Sequence, residues 1–435
     1  MSETVQTASL PRSSSSVMGF VRSYGIWVAA FALIFILPRI FTSGFALTAM
    51  SLMGITIIFS LSYNMLLGQA GMLSFGHAVY YGLGGFLAVH AMNAIASKGI
   101  AVPLPVIPLI GGITGLIFGI IFGSVSTRRG GTAFAMISLG LAELVASCAL
   151  ILRSFFGGEE GITTNRTKLL RLFDLNFGPQ YQVYYLIAFW CLICVIAMYA
   201  LTRTPFGRMC NAVRENFERS EFVGYNPQLI RFIAFCLAGF FAGIAGSLAA
   251  INFEIVNSSY VGAVQSGQVL LAAFIGGVGS FIGPVLGAVL VTYLQLTLSD
   301  ITEVWQLYFG LLFVGMVMFA PFGMAGILML HAPLLRAGTL WRLLPYYVIA
   351  FVPTLIMLTG FCLLIELTVH VMVKASDGPM MSFLRVTFDS HSFAPWAVSA
   401  ALIATGYGLL RLIWPRVESA WNDAMSLARQ RGGVA

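Results

Sequence analysis

Residues 60–90 read SLSYNMLLGQAGMLSFGHAVYYGLGGFLAVH, an apolar run that six glycines and a few polar side chains interrupt. In a bilayer every backbone polar group must be satisfied inside its own segment, so such a run is expected to be helical. Glycines and polar residues are costly there unless helices pack closely or the backbone lines a cavity. The stretch therefore predicts membrane helices with a break or a path near Asn64, Gly71, Ser74 and His77.

Two explanations of this break stay open. Close helix packing would account for most of the glycines. The sharper alternative is a broken helix beside a solute path. His77 is expected to be a hydrogen-bonded packing residue, because no carboxylate that could make it a proton relay is evident nearby in the sequence.

The composition of the whole chain agrees with a membrane location. Of the 435 residues, 59% are hydrophobic and 9% are charged, and the mean hydropathy is +0.91. A soluble domain carries about 25% charged residues, so this chain could not cover its own surface in water. Many apolar blocks approach the roughly 20 residues that cross a bilayer as a helix. The fold class predicted is an all-α polytopic membrane protein.

Twelve apolar spans are predicted. They cover about 24–38, 44–67, 75–96, 104–123, 133–152, 183–201, 231–250, 263–278, 281–298, 305–320, 345–368 and 395–413. Only Gly279 and Ser280 separate the eighth from the ninth, so 263–298 is either two spans or one broken helix with a re-entrant piece.

The basic residues predict the orientation of these spans. With the N-terminus inside, most of the 23 Lys and Arg residues fall on the cytoplasmic side, which predicts that both termini are cytoplasmic. Because these residues are dispersed between apolar blocks, they indicate orientation and no nucleic-acid partner. We divide the chain into a cytoplasmic tail (1–23), a core of ten spans (24–330) and an extension with two spans (331–435). The tail segment 415–431 is either a surface helix or a solvated end.

A second broken stretch lies late in the core, at 275–290 (IGGVGSFIGPVLGAVL). Paired segments interrupted by Gly and Pro in two halves of a transporter indicate a transport site between repeats, whereas close packing would explain any single glycine equally well. The residues assigned to this break are Gly276, Gly277, Gly279, Gly283 and Pro284.

Two carboxylates lie in predicted spans. Glu143, in the middle of span 133–152, either faces a solute path or pairs with a Ser, an Asn or a backbone carbonyl. Glu366, near the outer end of span 345–368, can extend its carboxylate to the interface, so we assign it no role.

The longest charged stretch inside the core is 203–230 (RTPFGRMCNAVRENFERSEFVGYNPQLI). It predicts one short cytoplasmic helix that ends near Gly224. Its compactness, its mixed charge and its place between two membrane helices favour docking against another protein.

Several blocks together resemble the LivM-type permeases for branched-chain amino acids. They are LLGQAGMLSFGHAVYYGLGGFLA, AFAMISLGLAELV, GGEEGIT, FGRMCNAVRENFERSEFVGYNP, GGVGSFIGPVLGA and PFGMAGIL. They follow the family's order and cover about 45–328. The resemblance implies a ten-helix ABC importer permease core in the bacterial inner membrane. It also implies four kinds of partner: a second, LivH-like permease subunit, two cytosolic ABC ATPase subunits, a periplasmic solute-binding protein and membrane lipid.

In importers of this kind the short cytoplasmic helix inserts into a cleft of the ATPase. The resemblance places that coupling role on Ala212, Val213, Arg214, Glu215, Asn216 and Gly224. The extension 331–435 departs from the family pattern, which ends near PFGMAGIL.

The sequence contains no GxxxxGK[ST] motif, so ATP is expected to be bound by partner subunits and no cofactor by this chain. No grouping typical of a catalytic or metal site is found, which argues against a membrane enzyme. The alternatives are an ABC permease for urea, short amides or aromatic acids, and a secondary transporter or channel.

Overall fold

The computed structural model describes residues 25, 29, 31–170, 176–373, 378–383 and 386–431. The predicted tail 1–23 and the beginning of the first predicted span lie outside the described residues. Within them the chain is built from helices, which confirms the all-α membrane class.

The helices in chain order are α1 (Phe31–Ile40), α2 (Gly44–Asn64), α3 (Ala78–Lys98), α4 (Ile107–Ser126), α5 (Gly131–Ile151), α6 (Arg153–Phe156), α7 (Gln180–Arg203), α8 (Pro205–Glu215), α9 (Phe217–Phe222), α10 (Pro227–Phe253), α11 (Ala263–Gly276), α12 (Ile282–Ile301), α13 (Trp305–Phe319), α14 (Gly323–Ala337), α15 (Leu340–Val373) and α16 (Phe393–Gln430). Two small antiparallel hairpins complete the described fold. Strand β1 (Ile162–Thr163) pairs with β2 (Ile255–Val256), and β3 (Met380–Phe383) pairs with β4 (Val386–Asp389).

Nine helices in the described part of the chain are long and apolar enough to cross a membrane, or ten if the bent pair α13–α14 is one span. These nine coincide with nine of the twelve predicted spans. The eighth prediction, 263–278, corresponds to α11, which has only 14 residues. Thus 263–298 is a short helix followed by one long helix, and the two are joined at residues 277–281.

Glycines allow α3, α4 and α10 to pack closely against one another. A Cβ added to Gly84 would lie 2.6 Å from the Cα of Gly243, and one added to Gly119 would lie 3.2 Å from the Cα of Cys236. Small residues let membrane helices approach to backbone contact, where dispersion forces stabilise the pair. As a result α3 and α10 are the most buried of the candidate spans and lie at the centre of the core.

The chain divides into two compact units. The first comprises the described residues up to Ile301 together with Phe313–Gly323, and the second comprises Thr302–Leu312 together with Met324 onward. In the second unit α15 and α16 pack along each other at Gly360 and Gly406, where an added Cβ would lie 2.7 to 2.8 Å from side-chain atoms of the other helix.

In the second unit, the tail segment and one glutamate are both held by contacts that the sequence did not predict. The segment 415–431 is no solvated end, because α16 continues through it and buries Ala424 and Ala428 against Leu334 and Leu343. Nor does Glu366 extend freely to the interface, since it is half-buried and accepts a hydrogen bond of 3.1 Å from the Tyr308 hydroxyl.

Candidate functional site

The first predicted break lies between α2 and α3. Helix α2 ends at Asn64, a π-helical turn follows over Met65–Gln69, and the chain is non-helical from there until α3 begins. Gly71 has φ +68°, a left-handed conformation that L side chains rarely adopt, and so it turns the chain. Gly68 packs against the carbonyl oxygen of Val278 with no room for a Cβ.

Polar groups are concentrated at this break. His77 is fully buried, its Nε2 lies 2.9 Å from the Ser62 hydroxyl, and its ring stacks on Phe59. It is therefore a hydrogen-bonded packing residue. Among the described residues, the Ser74 hydroxyl and the Nδ1 of His77 are buried without a hydrogen-bond partner. Such groups are rare in folded proteins, because burial without a partner is costly.

The second break lies between α11 and α12. Gly277 has φ +109° and ends α11, and the Ser280 hydroxyl accepts a hydrogen bond of 3.0 Å from the Gly283 amide as α12 begins. Gly276 and Gly283 meet backbone to backbone, whereas a Cβ on Gly279 would meet nothing. Pro284 lies in the first turn of α12, where its missing N–H costs nothing.

The structure brings the two breaks together. The Asn64 side-chain amide donates to the Ser280 carbonyl at 3.4 Å, and Gly68 packs on the neighbouring Val278 carbonyl. Asn64 and the glycines of both breaks therefore form one site, although more than 200 residues separate them in sequence.

Glu143 does not join this site. It lies in the middle of α5 on the exposed surface of the chain, and in the part that the structure describes it makes no hydrogen bond or ion pair.

The segment 203–230 forms two helices, so the prediction of one helix is wrong. Thr204 caps α8 and Pro205 occupies its first turn. Asn216 is extended, with φ −152°, and its side chain accepts a hydrogen bond of 2.8 Å from the Arg219 amide, so that it ends α8 and begins α9. An asparagine that caps a helix in this way stops the preceding one. Gly224, with φ +92°, follows α9.

One face of this pair of helices is fixed to the first break. The Arg214 guanidinium donates to the Gly68 carbonyl, and a Cβ on Gly71 would lie 2.8 Å from Cγ of Arg214. Val213 is buried beside it. The opposite face is open, with Ala212 and Glu215 exposed and Phe222 90% exposed.

One arginine to which the sequence pattern assigned no role, Arg166, connects the loop between α5 and α7 with the end of α10. Arg166 is buried and donates to four backbone carbonyls at 2.8 to 3.1 Å, and its amide donates to the Glu254 carboxylate at 2.9 Å. A pocket of about 360 Å³ lies beside this loop. Its lining residues are Asn93, Ala96, Ser97, Thr163, Thr164, Asn165 and Lys168.

Three glutamines to which the sequence pattern also assigned no role, Gln265, Gln268 and Gln295, line one cleft of the first unit. A polar residue repeated in an otherwise apolar helix, as in α11, was the available signal. Among the described residues, no group of three or more His, Cys, Asp or Glu side chains could hold a metal ion.

Comparison with known proteins follows the same blocks of sequence. The model of a family described as branched-chain amino acid transport system, permease component, matches residues 45–321. The high-affinity branched-chain amino acid transport system permease protein LivM of Escherichia coli (strain K12) is 28% identical over 291 residues, which cover 62% of this chain and 67% of LivM. BraD of Pseudomonas aeruginosa, which carries the same description, is 24% identical over 62% of this chain and 91% of its own length.

A relative named for another substrate also matches. The ribose import permease protein RbsC of Haemophilus influenzae is 25% identical over 52% of this chain and 71% of its own length. No solved structure matches the chain.

Proposed function

The chain belongs to the family of branched-chain amino acid transport system permease components, and from this premise we propose that it forms the membrane path of an ABC importer for branched-chain amino acids. ATP hydrolysis by two cytosolic ATPase subunits would drive transport, and this chain would bind neither ATP nor another cofactor. A second, LivH-like permease subunit and a periplasmic solute-binding protein would complete the importer in the bacterial inner membrane.

The observation that carries this proposal is the contact of Arg214 with the first break. The segment α8–α9 presents one face outward and holds the break with the other. A rigid element fixed at both ends converts closure of an ATPase into movement of the membrane helices. The roles of Ala212, Glu215 and the exposed end of α9 would be to contact the ATPase.

A self-sufficient transporter or channel is the weaker alternative, because it gives the exposed face of α8–α9 nothing to contact. The branched-chain substrate is supported by the names of two relatives and by the family description. The ribose import permease shows that related sequences are named for different substrates.

The charge on the open face provides the test. We expect Glu215→Arg to reduce leucine uptake and leucine-stimulated ATP hydrolysis about tenfold or more, because a reversed charge at a docking surface meets repulsion. The measurement uses the complete transporter in proteoliposomes, with membrane insertion of the variant checked by its yield.

Glu418→Arg is the matched control. Glu418 is also exposed but lies on α16, in the second unit, and reversal of its charge should leave both activities unchanged. Normal leucine-stimulated ATP hydrolysis in the Glu215 variant would refute the docking role.

A further inference from the structure

A cleft between α2, α3, α11 and α12 is lined by polar side chains that have no role in the proposed docking of the ATPase. Three are the carboxamides of Gln265, Gln268 and Gln295, and Thr56, Tyr81 and Thr292 contribute hydroxyls. All six residues lie in helices of the membrane core. The cleft is distinct from the two breaks and from the docking segment α8–α9.

The carboxamides have no partner within the described chain. Gln265, Gln268 and Gln295 are half-buried, yet their side chains donate to no protein group and accept from none among the described residues. A carboxamide in an apolar setting costs several kcal/mol when its hydrogen bonds are not made, by transfer measurements. Three of them turned toward one cleft indicate a polar molecule there.

The two threonine hydroxyls of the cleft also lack a hydrogen-bond partner among the described residues. In membrane helices of this chain a threonine hydroxyl ordinarily donates to the carbonyl four residues earlier, as Thr48, Thr114 and Thr297 do at 2.8 to 3.0 Å. Thr56 and Thr292 make no such bond among the described residues. Their hydroxyls are therefore available to a molecule in the cleft.

We propose that this cleft binds the transported solute, and that it takes a small molecule of zero net charge with polar groups beside an apolar side chain. This inference rests on the proposed function. A carboxamide both donates and accepts, so it can contact a carboxylate or an ammonium without adding charge. No charged residue lines the cleft, so a solute with net charge would be left uncompensated.

The remaining walls fit the apolar part of such a solute. Ile55, Phe59, Val269 and Val291 line the cleft together with the polar groups. A zwitterionic amino acid with an aliphatic side chain presents both kinds of surface. Sugars and urea lack the apolar part.

The cleft is narrow in this conformation and is linked to the docking segment. Its cavity of about 30 Å³ has room for one water. A larger solute enters only when the four helices separate. Helices α2 and α11, which form two of the walls, end at the two breaks, and Arg214 holds the first of these. Movement of α8–α9 would thus reach the cleft through α2.

The test is leucine uptake by the complete transporter, including its solute-binding protein, in proteoliposomes. We expect Gln268→Leu and Gln265→Leu each to lower the uptake rate at sub-saturating leucine about tenfold, since each removes hydrogen bonds to the solute. Gln268→Met, which keeps an unbranched side chain, is a second variant should leucine impair folding. Co-purification of the partner subunits reports assembly.

Gln306→Leu is the matched control, because Gln306 is exposed at the start of α13 and does not line the cleft. If the assembled glutamine variants take up leucine as fast as this control, the cleft is not the solute site, although the proposed function would stand. If the unaltered transporter takes up no leucine, the proposed function itself fails and the cleft's role with it.

Discussion

At the scale of single residues, Arg166 shows how a buried charge is held mainly by backbone carbonyls, with a carboxylate at longer range. Its guanidinium donates to the carbonyls of Phe177, Gly178, Ile251 and Asn252, whereas the Glu254 carboxylate lies 4.0 Å from its Nε. Carbonyl dipoles therefore supply most of the solvation that water would give. The residue joins the loop after α6 to the end of α10.

Replacement of this arginine should destabilise the first unit. Arg166→Ala leaves four carbonyls without their donor, and we expect a loss of about 2–4 kcal/mol. Thermal unfolding of the detergent-solubilised protein measures this as a midpoint several degrees lower. Lys168→Ala, in the same turn but exposed and without a side-chain hydrogen bond among the described residues, should leave the midpoint unchanged. Equal midpoints for the two variants would show that the carbonyl contacts contribute no stability.

At the scale of elements, the closest contacts are between helix backbones. The glycines of α3 and α4 face those of α10, so the three helices approach more closely than any side chain would allow. This geometry explains Gly84 and Gly85 of the 60–90 stretch by packing on α10, whereas Gly82 packs against Tyr260 and Val261. Gly68 and Gly71 belong instead to the break, where Arg214 contacts them.

A methyl group at this contact should separate α3 from α10. Gly84→Ala places a Cβ 2.6 Å from the Cα of Gly243, and since neither backbone can yield cheaply we expect a loss of about 1–3 kcal/mol. Gly140→Ala is the control, because it lies in α5 with nothing within 4 Å, and alanine favours a helix over glycine. The yield of monodisperse protein and its thermal midpoint should fall only for the first variant. A Gly84 variant as stable as the control would mean that the interface can widen freely.

At the scale of the whole molecule, the spans define two aqueous sides. Segment α8–α9 and the end of α16 are predicted to face the cytoplasm. The loop that contains Arg166 is predicted to face the opposite side of the membrane. The proposed function depends on this orientation, because ATPase subunits reach only the cytoplasmic side.

Cysteine labelling in intact cells can test the orientation. Glu160→Cys should react with a membrane-impermeant maleimide added outside, and Glu418→Cys only after the membrane is opened. The six native cysteines are buried or half-buried. Burial also raises the pKa of the Cys210 thiol to about 12, so it stays protonated and unreactive at neutral pH. If the Glu418 variant were labelled from outside in intact cells, the predicted orientation would be wrong.

The sequence by itself determined the membrane class, the positions of nine spans and the two breaks, because hydropathy and glycine act on the chain locally. It also located the charged segment between α7 and α10, although one helix was expected where the capping of Asn216 produces two. Only the tertiary structure decided that the two breaks meet, that Arg214 holds one of them, and that the glutamines share a cleft. These contacts join residues that are distant in sequence. They depend on how each helix is rotated and how closely its glycines let it pack, which no local pattern encodes.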